Sequence, residues 1–230
     1  MIDFHAHVLP GIDDGSQSLP ETEAMLKTAY SQGVSCLAAT PHFYADEMEL
    51  LSFLEKRQQA FGSVCLREEE MPQVLLGAEV AYFDNMSRSD AMHRLQLGNS
   101  GLLLVEMPFV PWTDRIVEDV CRLQDRQGLT PVLAHVERYR QKEQFPRYRD
   151  MLLCSGVLFQ SNGGAFLRGG TRSWALKQLK TGGIHFLGSD CHNMTTRAPN
   201  LGEAAKVIEK KLGVGILEEI EAFSAQALNL

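Results

Sequence analysis

The chain has no closely spaced pair of cysteines. Its five, Cys36, Cys65, Cys121, Cys154 and Cys191, are scattered, odd in number and without a CxxC. They read as reduced thiols of a cytosolic protein, which excludes a thiolate zinc knot and a disulfide framework. A thiol-phosphate route through a Cys-x5-Arg loop is taken as closed as well. No stretch reaches the roughly 18 unbroken apolar residues of a membrane span. His5, His7, Asp13 and Asp14 break up the N-terminus where a secretory signal would need a basic and then an apolar run. No GxGxxG follows an early strand, which sets aside a dinucleotide fold. Positive charge is also short: 22 Lys and Arg stand against 29 Asp and Glu, for a net charge of −7. That balance argues against a nucleic-acid backbone as the main partner.

What is present begins at residue 2. Ile2, Phe4 and then Val8 and Leu9 read as a short buried strand, and strand side chains alternate faces. His5 and His7 therefore project to the same side, as two imidazoles aimed at one point. Such a pair at the end of a buried strand is half of a metal site, although two surface histidines near a terminus would look the same.

The rest of the chain alternates strand and helix with no linker, low-complexity tract or change of composition, and reads as one domain over residues 1–230. Strand-like apolar runs fall near residues 2–8, 34–40, 73–81, 101–107, 130–136, 156–161 and 184–189. Between them lie segments of helical spacing. Met25, Leu26, Ala29 and Tyr30 share a face of the first, which Ser18 and Glu21 could open as a capping box and Gly33 would end. Ile116, Val117, Val120 and Leu123 mark another, closed by Gly128. Further helices are expected before Gly156, before Gly182 and Gly183, and over 199–228. Seven strands alternating with helices imply a parallel sheet of α/β class, and the number favours a barrel of the (β/α)7 kind over an open sheet.

Each apolar run ends on a polar group able to bind a cation. The first delivers His5 and His7, followed by the Asp13-Asp14-Gly15 loop. The second delivers His42, the third Glu79, the fourth Glu106 and the fifth His135. The sixth ends in Ser161 and Asn162, and the seventh in Asp190 and His192. A lone Glu at a strand end is commonly a salt-bridge partner, and a lone His a hydrogen-bonded core residue. Their joint arrangement differs, because in a β/α barrel these ends converge on one face, and burying so many ionisable groups unpaired would be prohibitive. Cations resolve it. His93 and His185 fall elsewhere and read as structural or exposed. Imidazole and carboxylate without thiolate suit Mn²⁺, Fe²⁺ or Zn²⁺, and nine candidate ligands exceed one ion and suit two or three. Cys191 lies between Asp190 and His192, so its side chain should turn away from the ions. Arg138 and Arg197 lie just beyond His135 and His192 as candidate phosphate forks.

These motifs, His5-Ala6-His7, Asp13-Asp14-Gly15, Thr40-Pro41-His42, Gly77-Ala78-Glu79, Glu106, His135-Val136-Glu137-Arg138 and Ser189-Asp190-Cys191-His192-Asn193, resemble the polymerase-and-histidinol-phosphatase (PHP) superfamily. Within it they look like the manganese-dependent protein-tyrosine phosphatases of bacterial capsule and exopolysaccharide loci. The resemblance spans essentially the whole chain. It implies a distorted TIM-like barrel and three ions: one on His5, His7, Glu79 and Asp190, a second on Glu79, Glu106 and His135, a third on Asp14, His42 and His192. Glu79 would bridge, and Arg138 and Arg197 match the phosphate-gripping arginines. Cys191 departs from the small or apolar residue usual there, and the loop after His42 lacks an extra His or Arg that some members carry.

The expected reaction is hydrolysis of a phosphotyrosyl protein by hydroxide generated at the ions. Asp14 or His42 could assist the leaving group, and Phe43, Tyr44, Phe109, Trp112 and Tyr139 could flank its ring or simply pack loops. The chain is expected in the cytoplasm, and a tyrosine kinase controlling polysaccharide export is the partner implied by resemblance. Rivals are a histidinol-phosphate phosphatase or other PHP phosphoesterase, and a metal-bound adaptor of a polysaccharide-assembly complex.

Overall fold

The computed structural model describes residues 1–64 and 70–230, so Cys65 lies outside the described residues. In chain order the elements are β1 (Ile2–Ala6), α1 (Leu19–Ser31), β2 (Cys36–Ala39), β3 (His42–Phe43), α2 (Leu50–Ser63), β4 (Gln73–Leu76), β5 (Glu79–Ala81) and β6 (Leu102–Glu106). Then follow α3 (Asp114–Gln127), β7 (Thr130–Leu133), α4 (Phe145–Cys154), β8 (Leu158–Asn162), α5 (Gly163–Leu167), α6 (Gly169–Lys180), β9 (Phe186–Gly188), α7 (Leu201–Leu212) and α8 (Gly215–Leu228). No helix among the described residues is long and apolar enough to cross a membrane.

Among the described residues the seven expected runs are seven staves built from nine shorter strands. Pairing runs β1-β2-β4 in one sheet and β3-β5-β6-β7-β8-β9 in the other, parallel throughout. The 34–40 run breaks at Thr40-Pro41 because proline offers no ladder N–H, and the chain resumes as β3. The 73–81 run breaks at Gly77-Ala78 and resumes as β5. The breaks are matched: Gly77 N–H donates to Ala39 O at 2.9 Å and Glu79 N–H to Pro41 O at 3.1 Å. Both staves therefore bend together. The last stave returns to the first through an Ala6–Cys191 bridge, with Asp190 N–H on His5 O at 2.7 Å and His7 N–H on Cys191 O at 2.9 Å. The outcome is the distorted TIM-like barrel expected from the sequence.

Between Asp3 and Ala6 the first strand spends three residues against two on β2, from Leu37 to Ala39. A bulge re-aims the side chains around it. Phe4 can thus stack on Phe186 at 3.9 Å in the apolar filling of Ile2, Ala38, Leu104 and Val132, while the adjacent His5 also faces the open end. A larger apolar layer, including Met25, Leu26, Leu103, Val117 and Leu123, seals the helices onto the strands. Tyr30, expected on that face of α1, is exposed. Ser18 caps α1 by accepting from Glu21 N–H at 3.4 Å, but the Glu21 carboxylate accepts from Gln17 N–H instead, so only half of the box forms. Gly188 lets β9 pass the site, since a Cβ there would sit 2.6 Å from His5 Cβ. The helix α2 lacks a helical signal picked out in the sequence and buries Phe53 alone. His93 sits exposed in a short 3-10 turn, and His185 accepts from Phe159 N–H at 3.0 Å.

The seam between last and first staves hangs on Asp3, whose Oδ1 accepts from Ser189 N–H at 2.8 Å and His5 N–H at 3.2 Å. Burial pushes its carboxyl up to about 6. A raised carboxyl pKa means the folded state holds the proton more tightly. Its contribution therefore declines as pH rises from the usual carboxylate value to about 6. Asp3→Ala is expected to cost about 1–3 kcal/mol in urea denaturation by orphaning these donors. Asp3→Asn keeps an acceptor without the charge and should be milder above pH 6.

Candidate metal centre

Parallel staves deliver all their C-terminal ends to one rim, and strand register decides which groups meet there. On β3 and β5, His42 stands directly beside Glu79; on β5 and β6, Ala81 pairs with Glu106, two positions further along. The Glu79 side chain, 1% exposed, becomes the hub. Its Oε1 lies 2.8 Å from His135 Nε2, and its Oε2 lies 3.1 Å from His5 Nε2, 3.2 Å from His7 Nε2 and 3.1 Å from His42 Nδ1. Glu106 Oε1 is 3.2 Å from His135 Nε2. On the other side Asp190 Oδ1 lies 3.6–3.7 Å from His5, His7 and His192 nitrogens. Asp14, 65% exposed, reaches His192 Nε2 at 3.2 Å and His42 Nε2 at 3.5 Å.

All nine candidate ligands thus join one network. Three groupings have ligand atoms close enough to share an ion: His5, His7 and Asp190; His42, Glu79 and Glu106; and Asp14, His42 and His192 with His7. The last adds His7 to the set implied by resemblance, and the second holds His42 beside Glu79 and Glu106. His135 and Asp190 both adopt positive φ, 35° and 54°, uncommon for residues other than glycine. Two strained residues at the rim mark a place where geometry outweighs backbone comfort.

The hydrogen bonds behind the imidazoles test whether cations fit. His7 Nδ1 sits 2.7 Å from Asp13 Oδ2, and His5 Nδ1 sits 3.2 Å from Gln160 Oε1. Gln160 is oriented because Oε1 also accepts from His135 N–H at 2.7 Å while its amide nitrogen donates to Asn162 Oδ1 at 3.0 Å. These acceptors assign the protons to both Nδ1 atoms. The two Nε2 lone pairs then converge at 3.0 Å with no hydrogen between them. Glu79 Oε2, His42 Nδ1 and His192 Nε2 are also buried without a hydrogen-bond partner among the described residues. Facing lone pairs and orphaned acceptors fit divalent cations. With no ion, protons must substitute: burial pushes His7 down, yet Asp13 and Glu79 override it and raise it to about 10. Burial likewise opposes, and Glu106 and Glu79 raise, His135 to about 9. Burial pushes His42 down, and burial with the neighbouring His7 and Arg197 charges holds His192 at about 4.

Both arginines reach the rim. Arg138 Nη2 donates to Asp190 Oδ2, and Arg197 Nη2 to Asp190 Oδ1 at 2.7 Å. Each guanidinium is about one-third exposed, so each retains donors facing outward. Of the five aromatic candidates, Phe43, Trp112 and Tyr139 are buried in the core, which excludes them as ring contacts. Tyr44 and Phe109 are exposed, and Tyr44 stacks on His42 at 5.2 Å. Arg197 stands six positions after Cys191, so a Cys-x5-Arg spacing does occur. It carries no thiolate chemistry, because Cys191 is fully buried in the apolar core and burial pushes its thiol far up.

The sequence assigns no role to Asp13 or Gln160, and it marks Asn162 only as the polar end of the sixth strand. Asp13 stands in the quoted Asp13-Asp14-Gly15 loop, but Asp14 alone received a role; the signal was that a ligating His7 needs a carboxylate behind it. Asn162 Nδ2 donates to Asp190 Oδ2 at 2.7 Å. The spacing of Gln160 gave no such hint.

A parallel barrel with this rim is a PHP-type fold. Residues 1–228 match the family described as capsular polysaccharide synthesis, CpsB/CapC, and the chain belongs to that family. It is 32% identical to the tyrosine-protein phosphatase YwqE of Bacillus subtilis, over 93% of this chain and 85% of that protein. Identity to the tyrosine-protein phosphatase CpsB of Streptococcus agalactiae is 27%, over 99% and 98% of the two chains. Among solved structures, one described as YwqE from Bacillus subtilis and CpsB from Streptococcus pneumoniae, unique metal-dependent tyrosine phosphatases, superposes with TM-score 0.86 at 27% identity. It covers 100% of this chain and 94% of that one.

Metal loading at pH 7 is expected to release protons from His7 and His135, and apparent affinity should rise with pH up to about 10. Calorimetry in buffers of different ionisation enthalpy reads both; loading without proton release would contradict the assignment. Asp13→Asn should weaken metal affinity about 10- to 100-fold, read by the same titration.

Proposed function

We propose that the chain, as one domain over residues 1–230, is a cytoplasmic phosphatase that hydrolyses phosphotyrosine on a protein with two or three divalent ions, manganese in the cell. A tyrosine kinase that governs capsular polysaccharide export is the proposed phosphoprotein. The observation that carries this reading is the convergence of the His5 and His7 Nε2 atoms on the buried Glu79 carboxylate, with two arginines fixed beside it on Asp190. The named activities of the relatives of similar length support the substrate class.

His5, His7, Glu79 and Asp190 would hold one ion, Glu79, Glu106 and His135 a second, and Asp14, His42 and His192 a third. Bound there, such ions activate water near neutral pH and offset charge on phosphoryl oxygens. The chain supplies the remainder. Asp190 presents Arg138 and Arg197 side by side, and their outward donors can take phosphoryl oxygens in bidentate fashion. Tyr44, stacked on His42, offers an exposed aromatic wall to the phenyl ring. A phenolate leaves with a pKa of about 10, so its departure needs less proton donation than an alkoxide. Asp14 and His42 border the exposed side of the rim, where the leaving oxygen departs. Burial disfavours the charged form of His42 and, with neighbouring charges, holds His192 at about 4, which favours neutral imidazoles with one ring nitrogen available as a ligand.

Initial rates with Mn²⁺ on a phosphotyrosyl peptide and on histidinol phosphate, with a chelator control, separate this reading from its nearest rival. Preference for the peptide, abolished by chelation, is expected; preference for histidinol phosphate would move the protein to small-molecule chemistry. Glu79→Ala should lose bound metal and activity together. Arg138→Ala should lose about 10²-fold or more in kcat/KM with metal content intact, and an unchanged rate and KM would remove that arginine from the phosphate site.

A further inference from the structure

Beside the metal rim, a cleft of about 170 Å³ runs outward past Asp190. Four of its lining residues are arginines: Arg138, Arg197, Arg140 and Arg168. The phosphate requires only the first two. The cleft's carboxylates do not neutralise the others. Asp190 is taken by Arg138 and Arg197. Glu137 is buried and turned inward, its Oε2 accepting from Ser161 Oγ at 3.0 Å and Asn162 N–H at 3.3 Å.

Arg140 and Arg168 thus face the cleft without a carboxylate. Among the described residues Arg140 donates only to main-chain carbonyls, Glu137 O at 3.1 Å and Gly170 O at 3.4 Å. Those two bonds hold its guanidinium in the cleft lining, near the Gly169-Gly170 segment that follows Arg168. The Arg168 side chain is exposed and has no hydrogen bond or ion pair among the described residues. In a chain of net charge −7, two uncompensated guanidiniums continuous with the phosphate arginines form a local positive field.

We propose that Arg140 and Arg168 form a second anion subsite, which reads a carboxylate or phosphorylated side chain lying close to the phosphotyrosine in the same polypeptide. The inference rests on the phosphotyrosine reading above and adds a sequence preference to it. Arg140 is the fixed fork and Arg168 the mobile contact. The anion's source follows from which side chain is preferred.

The test compares kcat/KM for p-nitrophenyl phosphate and for phosphotyrosyl peptides that differ at one flanking position. That position carries Glu, phosphoserine or Gln and is scanned over three residues on either side. The manganese-loaded wild-type chain should favour an anionic flank over Gln, and the margin should shrink in high salt. Arg168→Ala should lower kcat/KM about fivefold on the anionic peptides, chiefly through KM. It should leave p-nitrophenyl phosphate and the Gln peptide unchanged, and Arg168→Glu should reverse the preference. Glu above phosphoserine identifies a carboxylate reader, the opposite order a phosphate reader. Equal rates on all three peptides at every position would overturn the subsite, as would the same loss on every substrate in Arg168→Ala. Failure of the wild type to turn over p-nitrophenyl phosphate and the Gln peptide would overturn the phosphotyrosine reading itself, and the subsite with it.

Discussion

The Glu79 carboxylate is buried against four imidazoles, those of His5, His7, His42 and His135. A charge in that position is tolerable only with counter-charge on every side. Burial works to raise its pKa, and the histidine contacts outweigh it and hold the carboxyl well below its usual range. In the absence of ions two of these imidazoles take up protons instead, which is why His7 and His135 titrate so high. Ions and protons therefore compete for one set of lone pairs. Asp13 and Gln160 fix the direction of that competition, because each holds the proton of its histidine on the far ring nitrogen. The near nitrogens are left as ligands.

The barrel supplies this arrangement through its interruptions. The matched breaks at Pro41 and Gly77 let β3 and β5 pair in a second sheet, where His42 and Glu79 lie in register. The bulge before Ala6 turns His5 toward the opening without exposing Phe4. Asp3 then ties the bulged strand to the stave that carries Asp190. Stability and site geometry share these few groups. The positive φ of His135 and Asp190 is the local cost of placing two rim residues immediately beyond their strands.

Much of this was legible in the sequence because a β/α barrel converts strand ends into one site. The apolar runs gave seven staves, and the residues closing them, from His5 to His192, meet in the folded chain as one network. Less was legible where tertiary context acts. Apolar periodicity does not mark a strand broken at Thr40-Pro41 and resumed at His42. Gln160 acts through hydrogen bonds to His5 and His135, residues that only the closed barrel brings near, whereas Asp13 lies six residues from its partner His7. The aromatic candidates showed the same limit: Trp112 and Tyr139 pack against each other at 5.0 Å inside the core, whereas Tyr44 stays at the surface. The Cys191–Arg197 spacing shows the converse, since a motif can be present by count while its thiol is buried away from any substrate.

The most direct test of the metal-centred account is anomalous diffraction at the manganese edge from crystals of the Mn²⁺-loaded protein. Two or three peaks are expected at the barrel rim, at least two of them shared by Glu79, with Asp14, His42 and His192 around the outermost. A single peak, or peaks that do not touch Glu79, would contradict it.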